Sequence, residues 1–301
     1  MLDDYKKHVD ERAELNIPPL PLDADQTSEL ISLLKEKNSD PDYLLNLLKE
    51  RVPAGVDQAA YVKAAFLADI TTGNASSPYI SKIDAVEILG TMLGGYNVEP
   101  LIRCLEIEEL AETASHVLGR TLLIFDAFNE IFELSKKNKY AKKVIEEWAD
   151  AKWFTEKEDI KDQIKLTVFK VSGEINTDDL SPAPDAWSRP DIPLHALAMF
   201  KMPRTGLDDP LGTIEKLKEK GNPLVFVGDV VGTGSSRKSA TNSVLWHMGD
   251  EIPHIPNKKE GGYCFGGKIA PIFFNTLEDS GAFPIEMDVS KMLMGQEIIL
   301  E

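Results

Sequence analysis

The stretch VFVGDVVGTGSSRKSATNSV, residues 225–244, joins an apolar run to a turn rich in glycine and serine. The apolar run predicts a buried strand, and a helix is predicted to begin near Ser235 and Ser236. Glycines in the turn would let the backbone bend tightly and approach a ligand. Free N–H groups at the helix start and the fork of Arg237 suit a carboxylate or a phosphate. The stretch therefore predicts an anion site. The alternative that the serines only cap the helix stays open.

Two phosphate-binding motifs come close to this stretch without matching it. The sequence GTGSSRKS, which starts at Gly232, places Arg237 where a phosphate loop needs its second glycine. The dinucleotide fingerprint G-x-G-x-x-G fails at the same arginine. The residues alone therefore do not identify the anion.

A second stretch, GEINTDDLSPAPDAWSRPD at residues 173–191, is rich in Asp, Ser and Pro and predicts a loop after a strand. It contains a further arginine, Arg189, for which a surface ion pair is the alternative. Together the two stretches resemble the aconitase family, with TDDLSPA at residues 177–183 and GSSR at residues 234–237. The sequence around these motifs resembles the bacterial B type of aconitase in particular (aconitate hydratase 2 / 2-methylisocitrate dehydratase). The resemblance covers essentially the whole chain.

The resemblance implies a lyase of the tricarboxylic acid cycle, an aconitate hydratase that interconverts citrate and isocitrate through cis-aconitate. It makes Ser235 the catalytic base that takes a proton from carbon. It makes Ser236 and Arg237, together with Ser235, binding residues for one substrate carboxylate, and Arg189 the binding residue for another. Aligned N–H donors and positive charge would stabilise the alkoxide form of such a serine.

The family also implies a [4Fe–4S] cluster held by three cysteine thiolates. This chain contains only Cys104 and Cys264, without a C-x-x-C pair, so no iron-sulfur cluster or other metal is expected on it. The cluster-bearing domains are expected elsewhere, as partners of this chain. The chain is then either the N-terminal part of a longer enzyme or a small subunit, and it is expected to be inactive alone.

The predicted secondary structure that must position these residues changes near residue 163, from helices to alternating strands and helices. Before that point the sequence predicts helices, listed by their segments as LDADQTSELISLLKEK, PDYLLNLLKERV, VDQAAYVKAAFLADI, SKIDAVEILGTML, VEPLIRCLEIEELAETASHVL, TLLIFDAFNEIFELSKK and AKKVIEEWADAKWF. Short helices with brief turns suggest a HEAT-like helical solenoid over residues 1–160, with an irregular bundle as the alternative. After that point strands alternate with helices, which predicts an α/β domain over residues 161–301. The resemblance makes this part the aconitase swivelling domain.

Composition and charge limit the classes of function. The chain has 301 residues and a net charge of −17, of which residues 1–163 carry −12 and residues 164–301 carry −5. Such a field repels nucleic acid, so RNA binding is possible but finds no support in the charge. A lysine cluster at residues 136–143 is better interpreted as an exposed helix face. The charged N-terminus and the lack of a long apolar run predict a cytoplasmic protein without a membrane span.

Two alternative interpretations assign the chain to a protein other than an aconitase. The helical domain could be a non-catalytic module that binds protein or RNA, and it could also mediate a homodimer. A small subunit of a leucine-biosynthesis isomerase would share the swivelling fold. The long helical N-terminal domain argues against that reading.

Overall fold

The structure is a computed structural model, and it describes residues 2–121, 127–156 and 159–301. Part of the predicted helix TLLIFDAFNEIFELSKK, residues 122–126, lies outside the described residues. The chain divides into two compact units. The helical unit comprises residues 1–7, 21–159 and 253–256, and the sheet unit comprises residues 8–20, 160–252 and 257–301.

Residues up to 160 form helices, as the sequence predicts. The α-helices are α1 (Leu2–Ala13), α2 (Ala24–Leu34), α3 (Pro41–Asn46), α4 (Gln58–Thr72), α5 (Lys82–Gly90), α6 (Val98–Cys104), α7 (Ala111–Gly119), α8 (Phe128–Ser135), α9 (Lys139–Ala149) and α10 (Lys152–Thr155), and a π-helical turn at Leu47–Arg51 follows α3. None of those in the described part of the chain has the length and apolar character that crossing a bilayer requires.

Local signals explain where several of these helices begin. Asp23 accepts a hydrogen bond from the backbone of Gln26 and forms a capping box at the start of α2. Asp40 caps α3 with Pro41 in the first turn. Helix α4 packs against α2 and α5, and α7 packs against α5 and α9. Helices that are one or two positions apart in sequence therefore pack together in the helical unit.

Two predicted helices are each divided in the structure, and one of them, AKKVIEEWADAKWF, is split between α9 and α10 where Ala151 has a φ of +53°. The segment VEPLIRCLEIEELAETASHVL forms two helices, α6 and α7, that are separated by a turn at residues 105–110. Leu105 and Leu110 at the two ends of that turn are both buried. Burial of these leucines overrides the helix propensity of the sequence between them. Helix α1, for which the sequence analysis made no prediction, covers the charged N-terminal segment.

The sheet unit alternates strands with helices, as predicted. Its elements are β1 (Ile164–Asn176), α11 (Thr177–Leu180), a 3-10 helix (Ala183–Ser188), α12 (Ile192–Ala196), α13 (Pro210–Lys218), β2 (Leu224–Thr233), α14 (Arg237–Met248), β3 (Asp250–Glu251), β4 (Lys259–Glu260), β5 (Tyr263–Ile269), α15 (Pro271–Asp279), β6 (Phe283–Glu286) and β7 (Glu297–Leu300). The main sheet has the strand order β6-β5-β2-β1-β7. Strands β1, β2, β5 and β6 are parallel, and β7 pairs antiparallel to β1.

Side chains alternate between the two faces of the sheet. Phe169 and Phe226 belong to one core cluster, which also contains Val244 of α14 and Phe273 of α15. Val168 and its neighbours on the other face form a smaller cluster. The helices α13, α14 and α15 therefore cover one face of the sheet, and the larger core lies beneath them.

In each unit the burial of an ionisable side chain carries a cost. In the helical unit, Lys63 on α4 is fully buried, and its Nζ has no hydrogen-bond partner in the described part of the chain. Burial lowers the pKa of Lys63 from 10.5 to about 8, against the opposing effect of the nearby Glu50. In the sheet unit, His247 on α14 is buried with Nε2 3.0 Å from the carbonyl oxygen of Ala196. Burial lowers the pKa of His247 from 6.5 to about 4.

Replacing Lys63 by methionine should stabilise the helical unit at pH 7 by about 3 kcal/mol, because folding no longer buries an ammonium group. The gain should shrink as the pH rises from about 8 to 10.5, where the folded lysine has already lost its proton. The measurement is the free energy of opening of α4 from amide hydrogen exchange. The control Lys63→Arg keeps the charge and should give no gain. A methionine variant no more stable than wild type would contradict this account.

The sheet unit should lose stability as the pH falls from about 6.5 to about 4. In that window the unfolded chain binds a proton at His247 and the folded chain does not, which costs about 3 kcal/mol across the window. Amide hydrogen exchange of β2, followed against pH, measures the loss. The variant His247→Gln lacks the titrating group and should show a shallower slope. An unchanged slope would show that other groups control the acid sensitivity.

Candidate functional site

Two adjacent parallel strands bring the predicted site residues to one edge of the sheet. The pairing of β1 with β2 ends where Asn176 lies beside Thr233. The TDDLSPA loop follows β1, and the GSSR turn follows β2. Because the carboxyl ends of parallel strands meet at the same edge, both segments emerge side by side.

Direct contacts join the two segments. The backbone N–H of Ser236 donates to Thr177 Oγ1 at 3.2 Å, and Arg189 Nη2 donates to Ser236 Oγ at 3.0 Å. Gly234 has a φ of +108°, and a Cβ there would lie 2.5 Å from Thr177 Oγ1 and 2.6 Å from Asn176 Oδ1. A side chain at residue 234 would therefore separate the two segments.

The predicted site residues line one cavity of about 490 Å³. Its lining residues are Arg189, Ser235, Ser236, Arg237, Lys238, Ser239, Ile272 and Thr276. Three of these carry positive charge, and none of the lining residues that the structure describes is an aspartate or a glutamate. The local electrostatics therefore favour an anion despite the negative charge of the whole chain.

The start of α14 faces this cavity without a side-chain cap. Ser236 is the N-cap residue, yet its side chain makes no capping hydrogen bond. The alternative that the serines only cap the helix therefore has no support at Ser236. The Ser235 residue is exposed, and Arg237 Nη1 contacts the carbonyl oxygen of Gly234 at 3.3 Å. An uncapped helix start beside an arginine is a common anion-binding arrangement.

Arg189 is half-buried and retains unused donor capacity. Its Nη2 also lies 3.5 Å from the carbonyl oxygen of Ser181. Its Nε is buried and has no hydrogen-bond partner in the part of the chain that the structure describes. Buried donors normally have partners, so a ligand oxygen at Nε would complete this guanidinium.

The loop that carries Arg189 is anchored by an ion pair that sequence reasoning missed. Arg12 donates to both carboxylate oxygens of Asp191, at 2.6 Å and 2.9 Å, and its Nε donates to the carbonyl oxygen of Pro18 at 2.8 Å. Asp191 also caps α12. Both ionic side chains are largely buried, so the bidentate pair fixes Asp191 two residues from Arg189.

Sequence reasoning also missed Lys238, Ser239, Ile272 and Thr276 as lining residues. The last two lie on α15, which follows β5, the next parallel strand beside β2. The signal that could have found them was the strand order, because every loop after these parallel strands reaches the same edge.

Neither cysteine has the properties of a ligand to an iron-sulfur cluster. Cys104 and Cys264 are each buried as free thiols. Burial raises the pKa of the Cys104 thiol, and it raises the pKa of Cys264 to about 12. Metal binding requires the thiolate. In residues 2–121, 127–156 and 159–301, no group of three or more His, Cys, Asp or Glu side chains could hold a metal ion.

Known proteins resemble this chain over nearly its whole length. A family model described as the aconitate B N-terminal domain matches residues 4–154, and one described as the aconitate hydratase 2 N-terminus matches residues 166–301. Aconitate hydratase B of Escherichia coli is 58% identical over 99% of this chain and 36% of that protein. Aconitate hydratase B of Synechocystis is 57% identical over all of this chain and 35% of that protein.

Among solved structures, a 3-isopropylmalate dehydratase from Methanocaldococcus jannaschii is 20% identical. The match covers 46% of this chain and 71% of that one, and its TM-score of 0.33 is too low to support an argument. The chain spans only about a third of the length of these curated relatives. With both of its halves matched by models of the same N-terminal region, the chain belongs to the aconitase B family.

Proposed function

We propose that this chain is the N-terminal part of an aconitate hydratase, a citrate/isocitrate hydro-lyase, and that it supplies the carboxylate site and the base. One observation carries the proposal: Arg189, Ser235, Ser236 and Arg237 line one positively charged cavity at an uncapped helix start. A tricarboxylate matches two separate arginines because each guanidinium can bind one carboxylate bidentately.

In this proposal each side chain has one task. Arg237 and the first turn of α14 hold one carboxylate, and Arg189 holds a second through its Nε edge. Ser236 accepts from Arg189 and can donate its own proton to the substrate. Ser235, exposed at the mouth of the turn, removes the proton from the substrate carbon. The three cationic lining residues favour the alkoxide that this step requires.

The [4Fe–4S] cluster of the family is assigned to the rest of the protein. Neither buried thiol suits it, and the described residues offer no ligand set. The metal-dependent part of the reaction therefore depends on domains outside this chain, and the chain alone is expected to be inactive. Those domains and the tricarboxylate are the proposed partners.

The finer architecture is part of the proposal. Residues 1–160 are assigned to a HEAT-like domain, which the sequential packing of α2, α4, α5, α7 and α9 supports. Residues 161–301 are assigned to a swivelling domain in a cytoplasmic enzyme. A homodimer through the helical domain stays a prediction. For RNA, Lys136, Lys142 and Lys143 each lie beside a glutamate, which weakens that alternative further.

Two substitutions in the complete, cluster-loaded protein should separate binding from proton transfer. Arg237→Gln should weaken citrate binding about 10- to 100-fold, because a charge-assisted pair is lost. Ser235→Ala should lower kcat by about 10²- to 10⁴-fold and change citrate affinity far less. Isothermal titration and steady-state kinetics measure the two effects.

The matched control is Arg103→Gln, an exposed arginine paired with Glu99 on α6, which should change neither quantity. Equal losses of binding and turnover in the Arg237 and Ser235 variants would contradict the assigned roles. A complete protein that neither binds nor converts citrate would overturn the proposed function.

The shape of the turn should matter as much as its charges. Gly234→Ala should weaken citrate binding about tenfold or more, because the new methyl group meets Thr177 and Asn176. Gly221→Ala is the matched control, since Gly221 also has a positive φ (+77°) but has no atom within 4 Å of the added Cβ. Affinity is measured alongside hydrogen exchange of β2. Equal effects at the two glycines would show that backbone strain, and not the contact, is responsible.

A further inference from the structure

A buried hydrogen-bonded chain lies behind the cavity. Ser239, which lines the cavity, has its Oγ 2.7 Å from Ser181 Oγ, and Ser181 Oγ lies 2.8 Å from His195 Nε2. On the other side of the ring, His195 Nδ1 lies 2.8 Å from Ser188 Oγ. Ser188 donates in turn to the carbonyl oxygen of Asp185 at 2.7 Å. The His195 ring thus bridges Ser181 and Ser188, and Ser181 also contacts Ser239 of the cavity lining.

The last link fixes the direction of the hydrogen bond at His195 Nδ1. Because the Ser188 hydroxyl donates to a carbonyl, its oxygen accepts from His195 Nδ1–H. A neutral imidazole then has a lone pair at Nε2, which accepts from the Ser181 hydroxyl. The oxygen of Ser181 is left to accept from Ser239. Every donor in the chain then has an acceptor.

The surroundings favour that neutral form. His195 is 2% exposed. Burial lowers the pKa of His195, the positive charge of Arg189 lowers it further, and Asp185 opposes the shift. The other ionisable groups on the neighbouring segments are Asp178 and Asp179 on α11, Asp191 with Arg12 at the start of α12, and Arg237, Lys238 and His247 on α14.

The chain connects the parts that build the cavity. Ser188 immediately precedes Arg189, and the carbonyl oxygen of Ser181 faces Arg189 Nη2. Ser239 lies in the first turn of α14, where its Oγ also approaches the carbonyl oxygen of Ser236 at 3.1 Å. The same imidazole therefore contacts the loop at Ser181 and at Ser188, which both precede the arginine, and through the Ser181 hydroxyl it reaches the start of the helix.

We propose that His195 is a positioning residue for the carboxylate site, whose neutral ring holds the Arg189 loop against the first turn of α14. The inference rests on the proposed function and deepens it, because it names a residue that touches no substrate. Protonation would place a buried positive charge beside Arg189, turn Nε2 into a donor and reverse the Ser181 hydroxyl, so that Ser239 would donate to the carbonyl oxygen of Ser236 instead. The site should therefore bind carboxylates less well when this histidine is charged.

The test uses the complete, cluster-loaded protein with citrate as the probe. His195→Ala should raise KM and Kd for citrate about tenfold or more, with a smaller change in kcat, because Arg189 is displaced without loss of the base. His195→Gln, which can still donate and accept, should recover part of the affinity. Ser188→Ala should weaken binding by a smaller factor, since the ring remains.

The pH dependence distinguishes positioning from simple packing. Wild-type affinity should fall on acidification below the ordinary histidine pKa of about 6.5 more steeply than the affinity of His195→Gln, which has no imidazole to protonate. The titration of citrate itself cancels in this comparison. A second buried histidine, His247 on α14, pairs with the carbonyl oxygen of Ala196 and is not among the residues that line the cavity, so His247→Gln should keep the wild-type KM.

These experiments distinguish a failure of the positioning role from a failure of the proposed function. If His195→Ala or, where that variant does not fold, His195→Gln shows the wild-type KM and pH profile, the positioning role is wrong. If wild type neither binds nor converts citrate, the proposed function fails first, and the failure is visible without any variant. A loss of affinity in His247→Gln equal to that in His195→Gln would also overturn the proposal, because packing alone would then explain both.

Discussion

Strands β1 and β2 run side by side in the same direction, so the chain leaves both of them at one edge of the sheet. Everything in the candidate site follows from that pairing. It places the TDDLSPA loop beside the GSSR turn, and it leaves room for the contact between Ser236 and Thr177 only because residue 234 has no side chain. The residues that line the cavity are far apart in sequence, yet their backbones are fixed by neighbouring hydrogen-bond ladders.

The charge of the site contrasts with that of the chain. A protein with a net charge of −17 would repel an anion at long range, and anion binding therefore depends on a local arrangement of positive groups. Two arginines, one lysine and an uncapped helix supply that arrangement within one cavity. The surrounding hydrogen bonds hold these groups in place before a ligand arrives. Less reorganisation is then needed on binding.

Much of this could be predicted from the sequence, for identifiable reasons. The apolar run and the glycine turn predicted β2 and the start of α14 because both signals are local. The split between α6 and α7 could not be predicted, because it depends on the burial of Leu105 and Leu110 against distant residues. Arg189 was assigned to the site through a family resemblance. The part played by His195 was invisible, because a scattered histidine shows no pattern until the fold brings two serines to its ring.

The ion pair between Arg12 and Asp191 has a practical consequence for dividing the protein. Residues 8–20 belong to the sheet unit although they precede most of the helical unit in the chain. A fragment that began at residue 161 would lack Arg12 and would leave a largely buried carboxylate without its counter-ion. A fragment that keeps the sheet unit intact therefore has to include residues 8–20 as well as the chain that follows residue 160. It could be produced by adding the N-terminal segment in trans or by rejoining the two pieces with a linker.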